Sequence, residues 1–344
     1  MLLTEFCPHP KLVTRTTLVD KPRFPVIDAH NHLGNSFGGG WINCPLNEIL
    51  KALDEAGVVG YVDLDGGWGE DILDFHLDHL APAKDRFRIF GGVDWSKWAE
   101  LGDSFLSYAV DRLKAQKERG AFGLKIWKPF GLHVRDQRND LVKVDDSRLD
   151  PIWRAAGEMD MPVLIHIADP VAFFDQIDET NERWEELGVH PDWAFTSPPY
   201  PPFLDILNGF KNLVKRNSGT TFIGAHVGCY AENLDFVGNM LDECPNYFID
   251  TSGRIGELGR QPYSARRFLI KYQDRILFGL DEGIHLDGYR LSYRFYETDD
   301  EYFNYSASSD IPMQGRWHVY GLYLPDEVLE KVYWSNAQKI LKFT

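Results

Sequence analysis

Val26-Ile27-Asp28-Ala29-His30-Asn31-His32 begins as a short, largely apolar run and ends on two histidines separated by one residue. On a β-strand, residues two apart project to the same side. His30 and His32 therefore face one way at the strand's carboxyl end, close enough to share one cation. A glycine-rich loop follows, with Gly34 and Gly38 to Gly40. Taken alone, the pair is a weak signal, because a surface patch can carry the same spacing.

The chain around it repeats one pattern: a short apolar run, a loop, an amphipathic stretch and another apolar run. The runs are Pro25–Ala29, Val58–Leu64, Phe87–Val93, Phe122–Trp127, Pro162–Ile167, Thr221–Ala225, Tyr247–Asp250 and Ile276–Leu280. Such alternation reads as βα units with a parallel sheet, and eight strands close without leaving an edge. The expected architecture is a single (β/α)8 TIM-type barrel over residues 1–344, with residues 1–24 as an N-terminal extension. Between the runs, Phe203, Leu207, Phe210 and Val214 fall on one helical face, and Val328, Leu329, Val332 and Tyr333 repeat this after Pro325. Long loops follow the fourth, fifth and eighth strands, at 128–150, 168–202 and 282–324. The last is a long aromatic-rich insertion, with Tyr289, Tyr293, Phe295, Tyr296, Tyr302 and Phe303. In a barrel all three gather at the carboxyl face, where barrel active sites lie. Their aromatics suit substrate contact, and equally a local core or a subunit interface.

Polar residues recur at the same end of later strands. His166 ends the fifth run, His226 the sixth and Asp281 the eighth. Three histidine-bearing strands and one aspartate-bearing strand, all polar at one end, are hard to attribute to chance. Imidazole and carboxylate are the ligands preferred by zinc and other borderline divalent ions. Lys125 ends the fourth strand and can bind a substrate carboxylate or pair with an acid. Arg254 follows the seventh and can grip a carboxylate bidentately or form a salt bridge with Glu257. Asp28 can orient a ligand imidazole or serve as a buried structural carboxylate. Strand register favours Asp281 over Glu282 as the residue facing the cation. For Lys128, Arg267 and His133 a solvated or structural role is the better reading.

The order HxH on the first strand, His on the fifth, His on the sixth and Asp on the eighth resembles the amidohydrolase superfamily. Within it the chain is similar to the amidohydrolase-2 group, which includes aminocarboxymuconate-semialdehyde decarboxylase, γ-resorcylate decarboxylase and several lactonases. The resemblance runs from about Phe24 to a terminal helix around Asn336-Ala337 and Leu341. It implies that His30, His32, His166 and Asp281 bind one divalent metal, with zinc first and manganese or another divalent ion as alternatives. It also implies catalytic roles for Asp281 and His226. In binuclear members a carbamylated lysine on the fourth strand bridges two metals; that arrangement, through Lys125, is the lesser expectation here. Leu280 departs from the Thr or Ser common just before the aspartate.

The resemblance leaves the reaction open. The leading expectation is a metal-dependent hydrolase acting on a small ester, lactone or amide through metal-activated water. The alternative is metal-dependent non-oxidative decarboxylation of an aromatic or unsaturated acid. A catalytically silent ligand-binding barrel is disfavoured, since all five chemical positions are filled.

A net charge of −16 argues against nucleic acid or an anionic membrane as partner, both of which want clustered Lys and Arg. No apolar run is long enough to span a bilayer, and Met1 to Lys11 lacks a signal-like apolar core. Cys7, Cys44, Cys229 and Cys244 are scattered and read as reduced structural thiols. Cys229, three residues after His226, is the one kept open as a nucleophile. The expected setting is cytoplasmic, with a small-molecule substrate and a homo-oligomer as a reasonable assembly.

Overall fold

The computed structural model describes residues 1, 5–307 and 309–344. Residues 2–4 of the N-terminal extension and Ser308 of the insertion lie outside the described residues. Eight parallel strands form one sheet in sequence order. They are β1 (Val26–Asn31), β2 (Val58–Asp63), β3 (Phe87–Gly91), β4 (Gly123–Ile126), β5 (Val163–Ile165), β6 (Phe222–Gly224), β7 (Tyr247–Asp250) and β8 (Ile276–Leu277). The sheet's two ends meet where Ala29 N–H donates to the Phe278 carbonyl at 2.9 Å and Asp281 N–H to the His30 carbonyl at 3.1 Å. Each expected apolar run supplies one strand. Every residue of β1 is buried, as befits a sheet covered on both faces.

The outer layer follows from helical periodicity. Phe203–Arg216 is a helix that buries Phe203, Leu207, Phe210 and Val214. The chain ends with helical turns over Asp326–Glu330, Lys331–Ser335 and Asn336–Leu341, which bury Val328, Leu329, Val332 and Tyr333.

The insertion after β8 is more regular than the sequence implied, because residues Leu286–Glu297 form a helix. Its Tyr289, Tyr293 and Tyr296 are buried around Phe278 and Tyr333, with ring centres 5.5 to 6.3 Å from Phe278. These aromatics make a local core behind the strand that carries Asp281. The extended N-terminal segment is tied to the same insertion: Thr17 donates from its N–H and hydroxyl to Asp300 at 2.7 and 2.8 Å. Among the described residues no helix is long and apolar enough to cross a membrane.

Candidate active site

At the carboxyl ends of the strands, His30, His32, His226 and Asp281 converge. The Asp281 carboxylate lies 3.6 Å from His30 Nε2, 3.1 Å from His32 Nε2 and 3.6 Å from His226 Nε2. One ligand atom from each of His30, His226 and Asp281 fits within a span of 4.8 Å. Glu282, the rival for this position, is turned away and pairs with His285 at 3.2 Å. Asp281 lies beyond the end of β8 with φ 67°, and this turn rather than strand register brings its carboxylate to the histidines.

Each imidazole is held from behind by its Nδ1. His30 Nδ1 meets Asp250 Oδ2 at 2.8 Å, and His32 Nδ1 meets Asp65 Oδ1 at 2.8 Å. His226 Nδ1 meets the Ser252 carbonyl at 2.9 Å, which obliges that nitrogen to carry the proton. In His30 and His226 an Nδ1–H fixed on an oxygen leaves the Nε2 lone pair to face inward, the tautomer that a metal ligand requires, whereas His32, paired with both Asp65 and Asp281, would have to release its Nε2 proton to a cation. Asp250 also accepts from the backbone N–H groups of His226 and Ser252, both at 3.1 Å, and from the Ser252 hydroxyl at 2.6 Å.

Charge balance follows from these contacts. Burial works to raise the Asp281 carboxyl, but His30, His32 and His226 outweigh it and hold it well below the usual carboxylate range. Burial would lower His32, yet Asp281 and Asp65 raise it to about 9. His30 is lowered by burial and by Lys125, and His226 by burial and by Arg254, so both are neutral near pH 7. Burial takes His166 down to about 4.

Backbone strain marks the same place. His226, Val227, Gly228 and Cys229 have φ of 57, 58, 65 and 61°, a left-handed turn directly after β6, and Asp281 has φ 67°. Non-glycine residues there cost roughly 1–2 kcal/mol each, and such strain clusters at functional sites.

His166 sits beside the group rather than within its closest approaches. Its ring centre is 4.4 Å from that of His226, and its Nε2 is 3.5 Å from Asp169 Oδ1 without a hydrogen bond. That nitrogen is buried and has no partner among the described residues. Asp169 is anchored by Lys128 at 2.7 Å, which gives Lys128 a structural contact.

The two cations differ from the surface lysines and arginines. Lys125 is 1 % exposed, with Nζ 3.2 Å from His30 Nε2, and burial lowers its pKa to about 8. Arg254 is 8 % exposed, and its guanidinium donates to the Gly253 carbonyl at 2.8 Å. Glu257, the salt-bridge partner that the sequence left as one of two alternatives, is bound instead by buried Arg183. Among the described residues neither Lys125 nor Arg254 has a carboxylate within ion-pair distance.

Asp28 takes the structural one of its two roles. It is fully buried and accepts from Tyr289 Oη at 2.6 Å, Asn31 Nδ2 at 2.7 Å and the N–H groups of His30 and Leu280 at 3.2 Å. Burial raises its pKa to about 7. Arg267 reaches Ser264 at the surface, and His133 packs against Phe195 and Tyr200.

Cys229 is buried, its Sγ 3.5 Å from the Ala225 carbonyl, and burial pushes the thiol up to about 11. A thiol so protonated is a poor nucleophile. Alkylation of the native protein at pH 8, mapped by peptide mass, is expected to label exposed Cys7 rapidly and Cys229 only on unfolding. Native-state labelling of Cys229 would contradict its spectator role.

Sequence patterning missed Asp250, Asp65, Ser252 and Asp169. Asp250 ends the seventh strand, so the rule that found Asp281 would have found it. Asp65 and Asp169 lie in loops with no local signature. A cavity of about 600 Å³ opens next to the cluster, between the ends of β7 and β8 and the helix 286–297. Leu280, Glu282, Gly253 and Tyr296 line it, and none of the four histidines does.

The donor set fits a divalent cation. Inward-facing Nε2 atoms surround an ionised carboxylate, their Nδ1 atoms are fixed, and the buried His166 Nε2 stands unpartnered next to them. Lys125 occupies the His30 lone pair and would have to yield it.

A family model described as amidohydrolase matches residues 26–343. No curated protein matches the chain. Among solved structures, the chain is similar to a 2,6-dihydroxybenzoate decarboxylase from Rhizobium, at 14% identity and TM-score 0.56, covering 93% of this chain and 99% of that one. It is also similar to a dihydroxybenzoic acid decarboxylase from Polaromonas sp. JS666 with bound manganese and the inhibitor 2-nitroresorcinol, at 15% identity and TM-score 0.55, covering 93% and 97%. A third is an amidohydrolase from Burkholderia multivorans with bound HEPES, at 12% identity and TM-score 0.52, covering 93% and 100%. At such identities these likenesses establish the barrel fold.

Proposed function

The chain belongs to the amidohydrolase family, and on that premise we propose that it is a metal-dependent, non-oxidative decarboxylase of an aromatic or unsaturated carboxylic acid. The observation that carries this reading is the pair of buried cations, Lys125 and Arg254, near the imidazole cluster without a carboxylate partner. Burying an unpaired charge costs several kcal/mol. An anionic substrate offsets that cost, whereas a neutral ester, lactone or amide does not. The solved structures named for decarboxylases of dihydroxybenzoic acids support the same choice over hydrolysis.

The ligands proposed for the metal are His30, His32, His166 and Asp281. Zinc suits their imidazole-rich set, and manganese is the ion in one similar structure. When bound, the cation supplies Lewis-acid charge that stabilises negative charge developing on the substrate.

The chain's own residues do the rest. Lys125 and Arg254 attract and orient the acid. His226 is neutral in the free protein and takes up a proton from solvent at Nε2, with the Asp281 carboxylate 3.6 Å away favouring the charged ring. As the bond to the carboxylate breaks, its electron pair takes that proton at carbon and CO₂ leaves. Burial of the imidazoles keeps competing water proton donors away from the reacting carbon.

The test is a panel of lactones, amides and aromatic acids offered to zinc- and manganese-loaded protein, with acid release and CO₂ read separately. CO₂ from an aromatic acid, with no acid release from lactones or amides, is the expected result. Acid release without CO₂ would instead establish hydrolysis. Stoichiometric metal with no turnover on either panel would point to a binding-only barrel.

A further inference from the structure

A second buried arginine shares the surroundings of Arg254. Arg183 lies in the long loop after β5 and is 1% exposed. Its two terminal nitrogens go to two carboxylates: one donates to Glu186 Oε2 at 2.7 Å and the other to Glu257 Oε1. The loop is anchored to deliver it. Asn181 accepts from the Arg183 N–H at 2.8 Å and donates to the Ala172 carbonyl at 2.8 Å. The guanidinium carbon is 5.9 Å from the ring centre of Phe173 and 5.6 Å from that of Trp317, so aromatic side chains close around it. Glu257 belongs to the helical turn Ile255–Leu258, three residues after Arg254, the spacing at which side chains on such a turn meet. Its Oε2 is buried and has no hydrogen-bond partner among the described residues. Glu186 also lies within reach of Arg254's charge: burial raises its carboxyl, Arg183 opposes that most, and Arg254 adds to the opposition.

We propose that Arg183 is a positioning residue that draws Glu257 and Glu186 away from Arg254 and so leaves the Arg254 guanidinium for the substrate's carboxylate. Removing one partner of a buried ion pair strands the other charge, which then takes the cation it can reach. For Glu257 without Arg183, that cation is Arg254, one helical turn away. An Arg254 already paired with Glu257 offers a substrate anion little, because the charges in the turn cancel. Arg183 touches neither substrate nor metal ligand in this arrangement; it decides which carboxylate Arg254 is free to bind. The inference rests on the reading of the site as one for a carboxylic acid, and it adds the residue that keeps the anion's partner open.

Benzoate titrated into metal-loaded protein by calorimetry reads the grip on the anion. Arg183→Met is expected to weaken it about 10- to 100-fold, the range for losing a hydrogen bond to a charged group, with metal content unchanged. A crystal structure of that variant is expected to place the Glu257 carboxylate within about 4 Å of the Arg254 guanidinium, an ion pair by distance. Adding Glu257→Gln to Arg183→Met is expected to restore the parent's affinity, because an amide cannot neutralise Arg254. Arg183→Gln, which keeps amide donors for the buried acids, carries the same expectations where Arg183→Met does not fold. Benzoate affinity untouched in the Arg183 variants, or still lost in a folded double variant, would overturn the assignment. Glu257 found on Arg254 in the variant, with no benzoate bound by the parent, would sink the carboxylic-acid reading and leave Arg183's hold on Glu257 standing. Benzoate binding that Arg254→Gln abolishes and no Arg183 variant alters would do the reverse.

Discussion

Asp281→Asn is expected to lower turnover by about a thousandfold, within the range attributed to a lost acid–base group and equal to about 4 kcal/mol of barrel-site stabilisation of the transition state. The substitution preserves shape and removes charge. Asp281 is the anion on which His30, His32 and His226 all converge. Without it, His32 loses one of the two carboxylates that raise its pKa to about 9, and no carboxylate opposite His226 favours its charged ring. Metal content separates the two ways to fail. A variant that keeps stoichiometric metal and loses turnover assigns the loss to proton handling; one that also loses metal assigns Asp281 to coordination. Turnover within tenfold of the parent would remove Asp281 from the chemistry.

Asp250→Asn is expected to weaken metal binding about 10- to 100-fold, although Asp250 contributes no inward-facing atom, because outer partners of this kind set the tautomer of the ligand they hold. One carboxylate fixes the His30 ring, the His226 backbone and Ser252. Burial alone would raise its pKa, yet His30, His226 and Ser252 hold it well below the usual carboxylate range. An amide offers a single acceptor oxygen for these donors and turns an N–H₂ toward one of them. If that group faces His30 Nδ1, the ring must move its proton to Nε2, where it blocks a cation. The depressed pKa also fixes the sign of the pH effect: the carboxylate's contribution to stability is present above the ordinary aspartate range and fades as pH falls through its lowered value. The variant lacks that contribution at neutral pH, so it should melt earlier by an amount worth about 3 kcal/mol or more, as for one partner lost from a buried pair. Metal titration followed by thermal melting reads both effects. Unchanged metal affinity would show that His30 is oriented by Ser252 alone.

Much of this architecture could be read from local pattern. The eight apolar runs predicted all eight strands, because each strand's burial on both faces leaves a continuous apolar stretch in the sequence. The polar residue closing several of these runs marked His30, His166, His226 and Asp281, since barrel sites form at strand carboxyl ends. Strand register could not separate Asp281 from Glu282, because both lie past the end of β8 and a left-handed turn at Asp281 sets their directions. The tyrosines of the insertion were ambiguous by sequence, and packing resolved them: a helix turns Tyr289, Tyr293 and Tyr296 into the core.

By itself, then, the sequence determined the barrel and marked the histidines and the aspartate that lie beyond the carboxyl ends of its strands. Alternation and strand-end polarity are local properties, and a single chain carries them openly. Tertiary structure alone decided which carboxylate stands behind which imidazole. His30 and Asp250 are 220 residues apart and become neighbours only when β1 meets the far side of the closed sheet. It also decided that Glu257 goes to Arg183, leaving Arg254 without an acid in ion-pair distance, and that Phe37 lies on Trp127. Each of these is a choice among several partners of the right charge or shape, and only closure of the barrel brings one of them within reach.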